Sequence, residues 1–299
     1  MGKKIIYVLG IILTISIGTY FYWKEINKKH VKTIPEDSKK TEVEKPSLKF
    51  GTVDENGNVN FTLKDEIKFK KSSMEFSVSE NLDNKIGEVK DFMISDEKEE
   101  KALSITGYYM SDETNHTAFP SIGHARANSI KNYISKKGIS TKDINVAGEL
   151  NDRMKIDTSN IMQNPLKFSI GKSVDNSEMI ERIIREIQEN PLSLNFNSGE
   201  FDTNLTPKQR MKVVNISTYL DKVEDAFCSI TGHTDNTGSH STNMTLGKKR
   251  AEFIKQYFTK SGIPNEKIAV SSKGENQPIS TNKTKEGRAK NRRVVTSIK

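Results

Sequence analysis

The chain has 299 residues, 33% of them hydrophobic and 29% charged, with 47 Lys and Arg against 39 Asp and Glu for a net charge of +8. Ile, Leu, Val and Phe are plentiful enough to exclude a fully disordered chain, and the length suits two domains of ordinary size or one large one. The single cysteine, Cys228, excludes any intrachain disulfide. The positive balance admits nucleic acid, an anionic membrane surface or an acidic polymer as partner without choosing among them.

Ile5 to Trp23 reads IIYVLGIILTISIGTYFYW, uncharged and close to the roughly 20 residues that cross a bilayer as a helix. Aromatic residues cluster at its far end, where amphipathic rings favour the membrane interface. The stretch exceeds a signal-peptide core and no small-x-small cleavage site follows, so residues 1–23 are expected to be an uncleaved membrane anchor. No cysteine stands directly behind the stretch to carry a lipid. With no ionisable group in the span, it is expected to anchor rather than conduct. Residues 24–49 are rich in Lys, Glu, Thr and Pro without an apolar period, the composition of a charged flexible tether.

From Phe50 onward the chain is expected to fold, and it repeats itself. Ser104–Thr114 reads SITGYYMSDET and Ser229–Ser239 reads SITGHTDNTGS, 125 residues later. The same offset aligns Ser73-x-Glu75-Phe76 with Ser198-x-Glu200-Phe201. An offset of 124 aligns Arg126-Ala127, Ile130-Lys131, Tyr133 and Gly138-Ile139 with Arg250-Ala251, Ile254-Lys255, Tyr257 and Gly262-Ile263. These matches predict a duplicated unit, with domains at 50–174 and 175–299.

In the second unit, Leu192–Asn195 is expected to be a short strand, and Thr206-Pro207 the N-cap and first position of a helix reaching Leu220. Ala226–Thr231 reads as a buried strand, with Cys228 an inert thiol inside it. The next helix carries Leu246, Arg250, Phe253, Ile254, Tyr257 and Phe258 near one face and ends at Gly262, with Pro264 barring continuation. Ile268–Ser272 and Val294–Ile298 complete the strands. Strand alternating with helix predicts an α/β (α+β) fold, two tandem β-α-β-α-β units with mixed sheets.

Three blocks carry the chemistry: Gly232–Ser239 (GHTDNTGS), Asn243-x-x-Leu246-x-x-x-Arg250-Ala251, and Asn282–Val294 (NKTKEGRAKNRRV). In this order they resemble the OmpA-like peptidoglycan-binding domain family, over essentially all of Leu192–Lys299. The resemblance implies a pocket for the diaminopimelate residue of the peptidoglycan stem peptide, with Asp235 and Arg250 as its principal ligands. It further implies that Asn243 and Arg293 line the pocket and that Thr234, Phe201 and Asp202 lie beside it. Physical chemistry agrees, since a zwitterionic ligand end needs one anion and one fork-shaped cation close together.

Competing chemistries fit less well. His233, His240 and Asp235 match no zinc spacing, so no metal and no cofactor is expected. The basic run Lys283, Lys285, Arg288, Lys290, Arg292 and Arg293 lacks a stacking platform or reading helix, which argues against nucleic acid. An enzyme acting on peptidoglycan would need an acid/base pair or a metal, and neither pattern is found.

In the first unit Tyr108-Tyr109-Met110 replaces His233-Thr234-Asp235, and no Arg stands in Gln163–Leu166 opposite Arg293. This degenerate copy is expected to be a spacer or a dock for another envelope protein. The expected role is to tether a membrane, or a membrane complex such as a stator or secretion machine, to the cell wall. The resemblance places the N-terminus in the cytoplasm, the anchor in the inner membrane and the folded units in the periplasm.

Overall fold

Strands form where apolar residues alternate. Leu166, Phe168 and Ile170 turn inward while Lys167 faces solvent, and Cys228 and Ile230 do the same in their strand. The computed structural model describes residues 48–63, 66–95 and 100–299. The expected anchor Ile5–Trp23 lies outside the described residues, as does most of the tether; among the described residues no helix is long and apolar enough to cross a membrane. Leu48, assigned above to the tether, is buried against the first core, so the folded region includes it.

The architecture is mixed α/β. In chain order it comprises β1 (Thr52–Val53), β2 (Val59–Phe61), β3 (Ile67–Phe69), β4 (Phe76–Val78), α1 (Leu82–Ile94), β5 (Lys101–Tyr109), α2 (Ile122–Lys136), β6 (Ile144–Leu150) and β7 (Leu166–Lys172). It continues with α3 (Ser177–Glu189), β8 (Ser193–Asn195), α4 (Pro207–Lys222), β9 (Cys228–His233), α5 (His240–Lys260), β10 (Ile268–Gly274), α6 (Lys285–Asn291) and β11 (Arg293–Ile298). The first sheet runs β1-β2-β7-β5-β6 and the second β10-β9-β11-β8, while β3 and β4 form a separate hairpin. Both sheets are mixed and share a plan. β5 pairs β6 in parallel, as β9 pairs β10, and each parallel pair is flanked by an antiparallel strand, β7 or β11. A crossover helix, α2 or α5, joins each parallel pair.

Local signals explain the helices that orient the site. Thr206 caps α4 by accepting from the Gln209 N–H, and Gln209 Oε1 accepts from the Thr206 N–H, a reciprocal capping box ahead of Pro207. Helix α5 ends where Gly262 takes φ +94°. The sequence reading did not foresee α3, which packs Ile183 and Ile187 into the second core.

The crossover helices lie unusually close to their strands. A methyl group on Gly232 of β9 would sit 1.8 Å from the Gly247 carbonyl of α5, and one on Gly107 of β5 would sit 1.9 Å from the Gly123 carbonyl of α2. Backbone cannot yield as a side chain does, so Gly232→Ala is expected to push α5 off the sheet and cost roughly 3 kcal/mol, the upper end of overpacking penalties, read by urea denaturation.

The two cores meet. Ala118, Phe119, Ile122 and Ala125, from α2 and the loop before it, join the core formed by the second sheet and its helices. Around this seam Tyr257 donates to the Thr117 carbonyl, Ser261 Oγ accepts from the Ala118 N–H, and the Lys131 ammonium pairs with Asp221 in a buried bridge.

Candidate functional site

The site forms where β9 runs out. Thr234 and Asp235 follow His233, the last residue of β9, a turn through Gly238 comes next, and Ser239 caps α5 by accepting from the Thr242 N–H. Asp235 is 5% exposed. Its Oδ1 accepts the Thr237 N–H at 3.0 Å and its Oδ2 accepts from Arg292 Nη1 at 2.8 Å. Burial opposes the carboxylate charge, yet the bonds from Arg292 and Thr237 outweigh it and hold Asp235 below the usual carboxylate range.

Arg250 reaches the same place from α5 and is fully buried. Nε donates to the Glu200 carbonyl at 2.9 Å, Nη1 to the His233 carbonyl at 3.1 Å and Nη2 to the Asn197 carbonyl at 3.0 Å. The guanidinium carbon lies 5.1 Å from the centre of the Phe196 ring. Burial, with the Arg292 charge beside it, lowers the Arg250 pKa to about 10, still cationic at neutral pH.

The first sheet carries the same cage around Arg126, donor for donor. Nε donates to the Ser73 carbonyl, Nη1 to that of Tyr108 and Nη2 to that of Lys70. Ser72 and Gly199 both take left-handed φ, +58° and +77°, so the loops beneath the two arginines turn alike. This places Ser73 opposite Glu200, two residues off the alignment of Ser73 with Ser198 suggested by the repeat, because the Ser-x-Glu-Phe similarity falls across a loop of unequal length.

The cages differ in what fills them. The second N–H groups of Arg126 Nη1 and Nη2 clasp the Glu113 carboxylate, which also accepts the Ser72 and Met110 N–H groups. Glu113 stands 125 residues before Gly238, which has no side chain. Among the described residues, no acceptor meets the second N–H groups of Arg250 Nη1 and Nη2, nor the N–H groups of Gly199 and Asp235. The four donors that clasp Glu113 in the first sheet thus have four counterparts in the second that no acceptor meets among the described residues.

Other polar atoms around the end of β9 and the start of α5 also lack partners. Thr234 Oγ1 and His233 Nδ1 are buried without a partner, and Asn243 Nδ2, on the first turn of α5, has none of normal geometry. Buried polar atoms left unpaired in this way are uncommon. His233 is lowered to about 4, by burial first and then by the charges of Arg293 and Lys273.

The predicted site residues divide accordingly. Thr234, Asp235, Asn243 and Arg250 come together. Arg293 is buried beside them, but donates to the Asn291 and Gln277 carbonyls. Its neighbour Arg292, absent from the predicted set, is the arginine that engages Asp235. Phe201 is half exposed, and Asp202 lines a neighbouring cavity of 460 Å³ with Asn197, Glu200, Thr203 and Phe253. Among the described residues no cluster of three His, Cys, Asp or Glu could hold a metal.

Residues 195–292 match the OmpA family. Over 96 residues the chain is 38% identical to the peptidoglycan-binding protein ArfA of Mycobacterium tuberculosis, covering 32% of this chain and 29% of that protein. Over 94 residues it is 37% identical to the outer-membrane lipoprotein YfiB of Pseudomonas aeruginosa, covering 31% of this chain and 56% of that protein. The chain therefore spans between about a third and about half the length of these curated relatives. Among solved structures, the peptidoglycan-associated lipoprotein from Burkholderia pseudomallei aligns at 22% identity with a TM-score of 0.32, covering 36% of this chain and 89% of that one. Residues 195–292, which hold Asp235, Arg250 and Arg292, are an OmpA family domain.

Proposed function

We propose that this chain binds peptidoglycan non-covalently through the Asp235–Arg250 site and, through Ile5–Trp23, tethers a membrane or a membrane assembly to the cell wall. The observation that carries this reading is the set of four unmet donors around Arg250. They match the four that clasp a carboxylate in the first sheet, so a ligand carboxylate fits where Gly238 leaves the side-chain position open. The Asp235 carboxylate, with two bonds made and further lone pairs left, suits the ammonium group of the same ligand. Diaminopimelate supplies both charges at one end. The relatives favour this ligand class, ArfA being a peptidoglycan-binding protein by name.

The role is binding rather than turnover, since a clasp of Arg, Asp and backbone N–H groups holds a zwitterion without attacking it. The shared strand plan, the paired glycine contacts and the matching arginine cages favour two copies of one unit, at 50–174 and 175–299. In that arrangement the first copy serves as spacer or dock between the membrane and the wall.

The test is co-sedimentation of the detergent-solubilised full chain with purified sacculi. Wild type is expected to pellet. Asp235→Asn, which keeps the shape and removes the charge, is expected to lose about 10- to 100-fold in affinity, the worth of one charge-assisted contact. Equal pelleting of both would overturn Asp235 as a ligand.

A further inference from the structure

We infer that the first sheet carries a carboxylate-binding site that is filled from within by Glu113, so that of the two arginine cages among the described residues only the one at Arg250 stays open to an external carboxylate. The inference rests on the Arg126–Glu113 geometry and not on the identity of the ligand at Arg250.

Arg126 is fully buried, and its five N–H groups all find acceptors, three in loop and strand carbonyls and two in Glu113. Both side chains of the pair are 0% exposed. Glu113 takes every donor that is unmet around Arg250, including the backbone N–H groups of Ser72 and Met110, the counterparts of Gly199 and Asp235. A side chain that served only to neutralise Arg126 would need one or two of these bonds. Glu113 makes all four, as a bound carboxylate would.

Its path of entry is also informative. Glu113 reaches Arg126 from the turn after β5, with its backbone N–H bonded to the Met110 carbonyl. The corresponding turn after β9 holds Gly238 at φ +97°, where an added Cβ would meet only Asn243 Oδ1, in ordinary contact at 4.0 Å. One position, Glu in the first turn and Gly in the second, separates a closed cradle from an open one.

Removing the internal carboxylate is expected to turn the first site into a receptor for small carboxylates. The probe is sodium acetate against sodium chloride at equal concentration and pH 7, with full-length protein in detergent and thermal unfolding followed by circular dichroism. Wild type, whose Arg250 site is already open, sets the background shift between the two salts. Glu113→Ala is expected to melt well below wild type in chloride and to recover in acetate by about 5 °C or more beyond that background, as mass action requires of a second ligand bound only by the folded state. Glu113→Gln, which still fills the space, is expected to show no acetate recovery beyond that of wild type. If Glu113→Ala aggregates, the comparison moves to refolding yield from urea, where recovery in acetate above chloride supports the cradle. A Glu113→Ala protein that treats the two salts alike, folded or refolding, overturns the inference. So does an acetate response of equal size in wild type.

Discussion

Arg250→Lys is expected to abolish sacculus binding and to destabilise the second half of the fold. The guanidinium spans three carbonyls, of Asn197, Glu200 and His233, and keeps two further N–H groups on a common edge. A lysine ammonium has three donors on a single atom and cannot meet three dispersed carbonyls and still offer a two-pronged face to a carboxylate. Two or more buried carbonyls would be left unpaired, at about 1–3 kcal/mol each. Binding is expected to fall by at least about 100-fold, since a charged bidentate contact is lost as well. Urea denaturation and sedimentation with sacculi read the two losses separately. A lysine variant with wild-type affinity would mean that Arg250 is purely structural.

The second large effect lies at the seam between the two cores. Lys131 on α2 is 1% exposed and its ammonium bonds Asp221 on α4, whose side chain is 9% exposed. Burial works to lower the Lys131 pKa, and the Asp221 charge opposes it. Asp221→Asn leaves the ammonium buried opposite a neutral amide. The expected cost is about 3–5 kcal/mol, the loss seen when one partner of a buried pair is removed. The double variant Lys131→Met, Asp221→Leu is expected to regain most of that loss, because it removes both desolvated charges together. Thermal unfolding of the single and double variants checks both statements. A single variant within 1 kcal/mol of wild type, a bound set by the ordinary worth of surface pairs, would show the bridge to be solvated.

Much of the second half was legible in the sequence because its signals are local. Thr206-Pro207 marks a helix N-cap and first turn, Gly262 marks a helix end, and the run Gly232–Ser239 places a charged turn after a buried strand. Parts of the first half were not legible. Strands β1 to β4 are two or three residues long, too short for a period of two to declare itself. Helix α3 carries Ile180, Ile183, Ile184 and Ile187 at helical spacing, a period that lies ahead of Leu192, where the reading of the second unit begins.

Within the site, the residue types were legible and their partners were not. Arg292 and Arg293 are adjacent, and only the register of β11 against β9 and β8 determines which of them meets Asp235. That Met110 stands where the match with Asp235 falls was plain from the sequence. That Glu113 reaches Arg126 was not, since it depends on how the turn after β5 folds back. The sequence matches between the two halves were visible, yet the alignment of Ser73 with Ser198 does not hold around the two arginines, where the Ser73 and Glu200 carbonyls occupy the same role.

The measurement that tests the central claim most directly is binding of the full-length wild-type chain to purified sacculi, with free meso-diaminopimelate as competitor. The account predicts that the protein pellets with sacculi, is released by diaminopimelate, and is not released by cadaverine, which carries the ammonium groups without any carboxylate. Protein that stays in the supernatant, or that pellets and resists diaminopimelate, would contradict the claim that the Asp235–Arg250 site grips the cell wall.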